Sequence, residues 1–112
     1  MEYRQISDQY SVAGQILPQD VAAIKAAGFN SVICNRPDGE QPGQPSAASV
    51  EAAAKAAGLE FRYIPVISGQ VTGENVAEQA AALQDLKGPV FAYCRSGARS
   101  TNLYGLIREM GE

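Results

Sequence analysis

The 112-residue sequence has no histidine, no tryptophan and only two cysteines. Without histidine, Ser-His-Asp and Cys-His catalysis within the chain is excluded, and a zinc site would lack its usual imidazole donors. Any activated nucleophile must be activated another way. No apolar run reaches membrane-spanning length, and the opening Met1-Glu2-Tyr3-Arg4 is polar where a secretory leader would be apolar. A cytoplasmic protein is expected, its two cysteines kept as thiols rather than joined. Basic charge is scarce: 9 lysines and arginines face 12 aspartates and glutamates, a net charge of −3. Neither a nucleic acid nor a membrane surface is an expected partner, since each would call for a basic face. A small substrate is expected, with no cofactor and no metal.

What is present is one core's worth of apolar residues, 46% of the chain, so residues 1–112 read as a single catalytic domain. Two strand-like pieces, Tyr3 to Ile6 and Tyr10 to Ala13, come first. Helical spacing follows from Pro18 to Ala27, with Val21 and Ile24 on one face and Gly28 as the stop. "SVICN" is a β-rich run ending near Cys34, and the loop "RPDGEQPGQP" after it is too rich in glycine and proline for helix or strand. Ser46 is the expected cap of an alanine-rich helix reaching Ala57. The strand "FRYIPV", the loop "ISGQVTG", a helix from about Glu74 to Leu86 capped by Thr72, and a strand restarting after Pro89 complete the alternation. Strands separated by helices predict an α/β layered domain, a mainly parallel central sheet flanked by helices. The small residues of the helices are read as close packing on that sheet.

The sharpest feature is "PVFAYCRSGARSTNLYGLI", where an apolar strand stops at Cys94 and a helical period begins at Leu103, Leu106, Ile107 and Met110. Ligands of open α/β sheets bind beyond the carboxyl ends of strands. There the loop Arg95-Ser96-Gly97-Ala98-Arg99 must turn sharply, with Gly97 free to take a positive φ and its amides free to point inward as an anion nest. A thiol at a helix N-terminus near arginines has a lowered pKa, so Cys94 is the expected nucleophile without any histidine. A buried, inert strand-end cysteine is the alternative for such a residue in isolation.

"CRSGARS" resembles the active-site loop of rhodanese-type sulfurtransferases, and its strand-loop-helix setting resembles the cysteine-dependent phosphatases. Together with "GQILPQDVAAIKAAGFNSVICNRPDGEQPGQPS", it is similar to the phosphatase-like domain of beta-lactamase-hydrolase-like proteins over nearly the whole chain. Members of that family occur alone or fused to a metallo-beta-lactamase-type persulfide dioxygenase, and are described as phosphatases in some cases and sulfurtransferases in others. The resemblance implies a cysteine phosphatase-like fold with Cys94 as nucleophile, and a persulfide dioxygenase as partner.

Two features point from phosphate towards sulfur. Cysteine phosphatases carry Cys-x-x-x-x-x-Arg, whereas only four residues separate Cys94 from Arg99, and Ser100 stands where the phosphatase arginine would be. Serine cannot make a bidentate clamp. Phosphomonoester cleavage also needs a general acid, normally an aspartate, yet "VISGQVTG" has none. Glu74 just beyond it reads as a first-turn helix carboxylate. The expected activity is therefore sulfurtransferase: Cys94 takes sulfane sulfur from thiosulfate or a persulfide and passes it to a thiol or cyanide. A cysteine-dependent phosphatase is the alternative, and a persulfide or oxidant sensor acting through a partner the second. Arg99 is assigned to catalysis. Arg95, Ser96, Gly97, Ala98, Ser100 and Arg36 are assigned to substrate binding. Arg36 has an equal alternative as a structural ion-pair partner of Asp38 or Glu40. Tyr93 reads as a packed strand residue, and Cys34 as a buried small hydrophobe or a resolving thiol.

Overall fold

The computed structural model describes residues 1–111. β1 (Arg4–Ser7) and β2 (Tyr10–Ala13) form a hairpin; a 3-10 turn at Pro18–Asp20 leads into α1 (Val21–Ala26) and β3 (Ser31–Cys34). α2 (Ala47–Ala56), β4 (Glu60–Tyr63), α3 (Gly73–Asp85), β5 (Val90–Tyr93) and α4 (Ala98–Glu109) follow. The five strands make one sheet in the order β1-β2-β5-β3-β4, parallel throughout except for the antiparallel edge strand β1. The α/β architecture read from the alternation is the one observed. β5 lies at the centre, flanked by β3, with Cys34 in register with Tyr93, and by β2, with Ala13 in register with the same tyrosine.

Local chemistry sets the element ends. Ser46 caps α2 by accepting from the Ser49 amide at 3.1 Å. Thr72 and Asn75 cap α3 reciprocally, each side chain accepting from the other's backbone amide. β4 was expected to run to Val66 but its ladder stops at Tyr63. Ile64 and Val66 still donate to the Cys34 and Asn35 carbonyls, while Pro65 between them has no amide to give.

Alternation along the strands divides the core. Val32, Phe61 and Phe91 point into a cluster with Val21, Ile24, Val50 and Ala54 of α1 and α2. Ile33, Val90 and Ala92 point the other way, against Ala82 and Leu86. Val66, Val76, Leu103 and Ile107 tie α3 to α4. Burying a side chain such as Phe91 contributes about 1.5–3 kcal/mol, so the central strand is firmly held, and with it the point where Cys94 leaves the sheet.

Candidate active site

At the end of β5 the chain turns through Cys94 to Ala98, with Gly97 as the N-cap of α4 at φ +92°. This left-handed conformation strains any residue with a Cβ. The loop is braced from behind by the end of β2. Cys94 N–H donates to the Ala13 carbonyl and Gln15 N–H to the Arg95 carbonyl, both at 3.2 Å. The approach is so close that a Cβ on Gly14 would stand 2.9 Å from the Arg95 carbonyl oxygen.

Held in this way, the loop turns its amides on the sulfur. Gly97 N–H donates to Cys94 Sγ at 3.1 Å. Burial of Cys94 pushes its thiol up, but the amides of Ser100, Ser96, Arg99 and Gly97 together outweigh burial and leave the thiol below its ordinary value. The loop supplies the activation that no histidine can.

The long loop after β3 reaches over the same spot. Glu40 grips the Arg99 guanidinium with both oxygens, Oε2 to Nη1 at 2.7 Å and Oε1 to Nη2 at 2.9 Å, and Nη1 also donates to the Val66 carbonyl at 2.8 Å. Arg36 Nε donates to Glu40 Oε1 at 2.9 Å, and its two terminal nitrogens donate to Gln15 and Gln41 at 3.0 Å. Hydrogen bonding from Arg99, with Arg36 adding to it against a partial burial cost, holds the Glu40 carboxyl down at about 2. The same carboxylate pushes Arg99 up. Glu40, not Asp38, is thus the partner of Arg36; Asp38 accepts from the Ala47 amide at 2.8 Å at the start of α2.

A pocket of about 640 Å³ opens between this loop and the Cys94 turn, lined by Arg36, Glu40, Gln41, Ser68, Arg95, Ser96, Ala98 and Arg99. Cys94 itself is 1% exposed and is not one of the lining residues. Of the residues assigned to substrate binding, Arg95, Ser96 and Ala98 are exposed at the pocket, and the Arg95 guanidinium makes no hydrogen bond or ion pair among the described residues. Arg36 lines the pocket with all its nitrogens engaged. Gly97 contributes its amide.

Ser100 faces the site through its backbone amide and not through its side chain. It is fully buried, and its hydroxyl donates to Asn35 Oδ1 at 2.9 Å, so only its amide faces the sulfur. Around it runs a buried polar network that sequence reasoning missed. Tyr10 OH donates to the Ser100 carbonyl at 2.8 Å, Gln79 Nε2 donates to Tyr10 OH at 3.2 Å, and the Asn35 and Gln79 amides bond each other at 2.9 and 3.2 Å. Asn35 Nδ2 also reaches the Ile64 carbonyl. One signal was available: Gln79 interrupts the apolar stripe of α3 between Val76 and Leu83.

Cys34 points with Tyr93 into the cluster under α1 and α2, and its thiol donates to the Arg36 carbonyl at 3.3 Å. Burial pushes that thiol up. Tyr93 is buried, its hydroxyl without a hydrogen-bond partner among the described residues. Glu74 is exposed in the first turn of α3, away from the pocket lining. Among the described residues no three histidine, cysteine, aspartate or glutamate side chains are grouped so as to hold a metal.

The mainly parallel sheet, with its central strand delivering Cys94 to the N-terminus of α4, is shared with cysteine phosphatase-like folds. Residues 2–110 match the model of the beta-lactamase hydrolase-like protein, phosphatase-like domain, and the chain belongs to that family. A beta-lactamase hydrolase-like protein of Agrobacterium fabrum is 38% identical over 106 residues, 95% of this chain and 25% of that protein. One from Xylella fastidiosa strain Temecula1 is 33% identical over the same shares. The chain thus spans about a quarter of the length of these curated relatives. Among solved structures, an inferred phosphatase of Neisseria meningitidis Z2491 is 29% identical with a TM-score of 0.87, over 94% of this chain and 75% of that one. The catalytic core of the PP-IP phosphatase Siw14 from S. cerevisiae, at 13% identity and a TM-score of 0.73 over 96% of this chain and 64% of that one, shares the fold alone.

Proposed function

We propose that the domain is a rhodanese-type sulfurtransferase that carries sulfane sulfur on Cys94. The observation that carries this reading is the short loop: Gly97 N–H donates to Cys94 Sγ at 3.1 Å, Arg99 follows one residue earlier than a phosphatase arginine, and the Ser100 hydroxyl in the phosphatase position is turned into the core. Such a cradle suits one sulfur atom better than a phosphoryl group with three oxygens. The carboxylates also argue against ester cleavage. Glu40 stays ionised at neutral pH, Asp38 is occupied at α2, and Glu74 stands off the pocket, so among the described residues no general acid is at hand for an alkoxide.

In the first half-reaction the Cys94 thiolate attacks the outer sulfur of the donor. A Cys94 S–S bond forms, the donor's own S–S bond breaks, and its electron pair leaves on sulfite or a thiolate. An acceptor thiolate or cyanide then attacks the outer sulfur and returns Cys94 as thiolate. No oxidant is consumed. A persulfide dioxygenase, which would consume a thiol persulfide so formed, is the partner this reading proposes.

The second reading is a cysteine-dependent phosphatase, favoured by the family description and by the phosphatase fold of the structural relatives. Parallel assays separate the two. Sulfur transfer lost in Cys94→Ser, with slow aryl phosphate hydrolysis, is expected; Cys94-dependent phosphate release without sulfur transfer would establish the second reading instead.

A further inference from the structure

Arg99 is the residue that would greet an anion at the Cys94 loop, and its fork is already filled. Both terminal nitrogens face Glu40, in the bidentate geometry by which arginine takes a phosphate or a sulfonate. The clamp is not loose. Arg36 holds the same carboxylate from the other side, and the Arg36 and Arg99 side chains are only 3% and 10% exposed. Displacing Glu40 would leave two nearly buried guanidinium groups to be neutralised by whatever arrives. An inorganic dianion must therefore compete with a tethered carboxylate at very high effective concentration.

We propose that Glu40 is the specificity-determining residue of this site: it occupies the oxyanion position on Arg99, so that the donor reaching Cys94 is an organic persulfide rather than thiosulfate or a phosphate ester. The inference rests on the sulfurtransferase reading for its donor, not for the exclusion itself. An organic persulfide offers a terminal sulfur without oxygens, which needs the loop amides and not the Arg99 fork. Three arginines against one glutamate still leave the pocket lining with net positive charge, and the exposed Arg95 can meet the carboxylates of a peptide-like thiol. Transfer is balanced as above, with the donor's inner sulfur leaving as the thiolate.

The test compares wild type with Glu40→Gln, which keeps the shape and removes the charge, and with Glu40→Ala. The first readout is protection of Cys94 from iodoacetamide by millimolar inorganic phosphate. The second is the ratio of Cys94 sulfuration rates from glutathione persulfide and from thiosulfate. Wild type should be unprotected and favour the persulfide. Both variants should gain phosphate protection and shift the ratio towards thiosulfate by about tenfold or more, the scale of one charge-assisted contact. Phosphate protection of wild type equal to that of the variants, or an unchanged donor ratio, overturns the role of Glu40 while leaving sulfur transfer standing. If neither donor sulfurates wild type, the sulfurtransferase reading fails, and the phosphate readout alone decides the exclusion. Should both variants unfold, wild type that is protected by phosphate or prefers thiosulfate still contradicts the inference.

Discussion

The backbone N–H of Gly97 points at Cys94 Sγ across 3.1 Å, and the left-handed turn that aims it there, at φ +92°, is one that side-chain-bearing residues resist. The activation of the thiol is therefore built into backbone geometry. Iodoacetamide labelling against pH should give a Cys94 midpoint below the ordinary thiol value of about 8.5. Gly97→Ala should raise that midpoint and lower stability by roughly 1–2 kcal/mol, the penalty for a Cβ in this region.

Glu40 gives a pH signature in stability. Its folded value of about 2 lies below its ordinary 4.5, so the clamp contributes fully above about 4.5 and is lost as pH falls through about 2. Urea unfolding at a series of pH values should show Glu40→Gln less stable than wild type at neutral pH, with the gap closing across that window. A gap that is constant with pH would mean the carboxylate's charge is not what holds the loop.

The network beneath the site should be felt in stability. Tyr10→Phe removes the hydroxyl that donates to the Ser100 carbonyl and accepts from Gln79, leaving both buried groups short of a partner. A loss of about 1–3 kcal/mol is expected in denaturant unfolding. A neutral result would show that these groups find other partners.

Cys34 is expected to stay silent. With its thiol pushed up by burial and turned into the core with Tyr93, it should resist alkylation in the native state. Cys34→Ala should leave the Cys94 labelling midpoint unchanged while destabilising by roughly 1 kcal/mol for the lost packing. A Cys34–Cys94 disulfide formed under mild oxidation would contradict this.

What could be read in advance followed from nearness along the chain. Strand, Cys94, Gly97 and the period of α4 lie within twenty residues, so their geometry is written in local pattern, as are the Ser46 and Thr72 caps. The relationships that define the pocket are not local. Glu40 and Arg99 are 59 residues apart and Tyr10 and Ser100 are 90 apart, brought together only by the strand order, which periodicity does not encode. Hence the sequence assigned Arg99 to catalysis without showing its Glu40 partner, and Ser100 to substrate binding without showing the buried hydrogen bond of its hydroxyl to Asn35. β2 was visible as a strand, but not as the neighbour of β5 that braces the Cys94 loop from behind.

Sulfur carriage on Cys94 is measured most directly by an intact-protein mass spectrum after brief exposure to glutathione persulfide, followed by peptide mapping. A gain of one sulfur atom is expected, located on Cys94, removed by a thiol or cyanide and absent in Cys94→Ser. Wild-type protein that gains no sulfur, yet forms a Cys94 phosphoenzyme with an aryl phosphate, would contradict it.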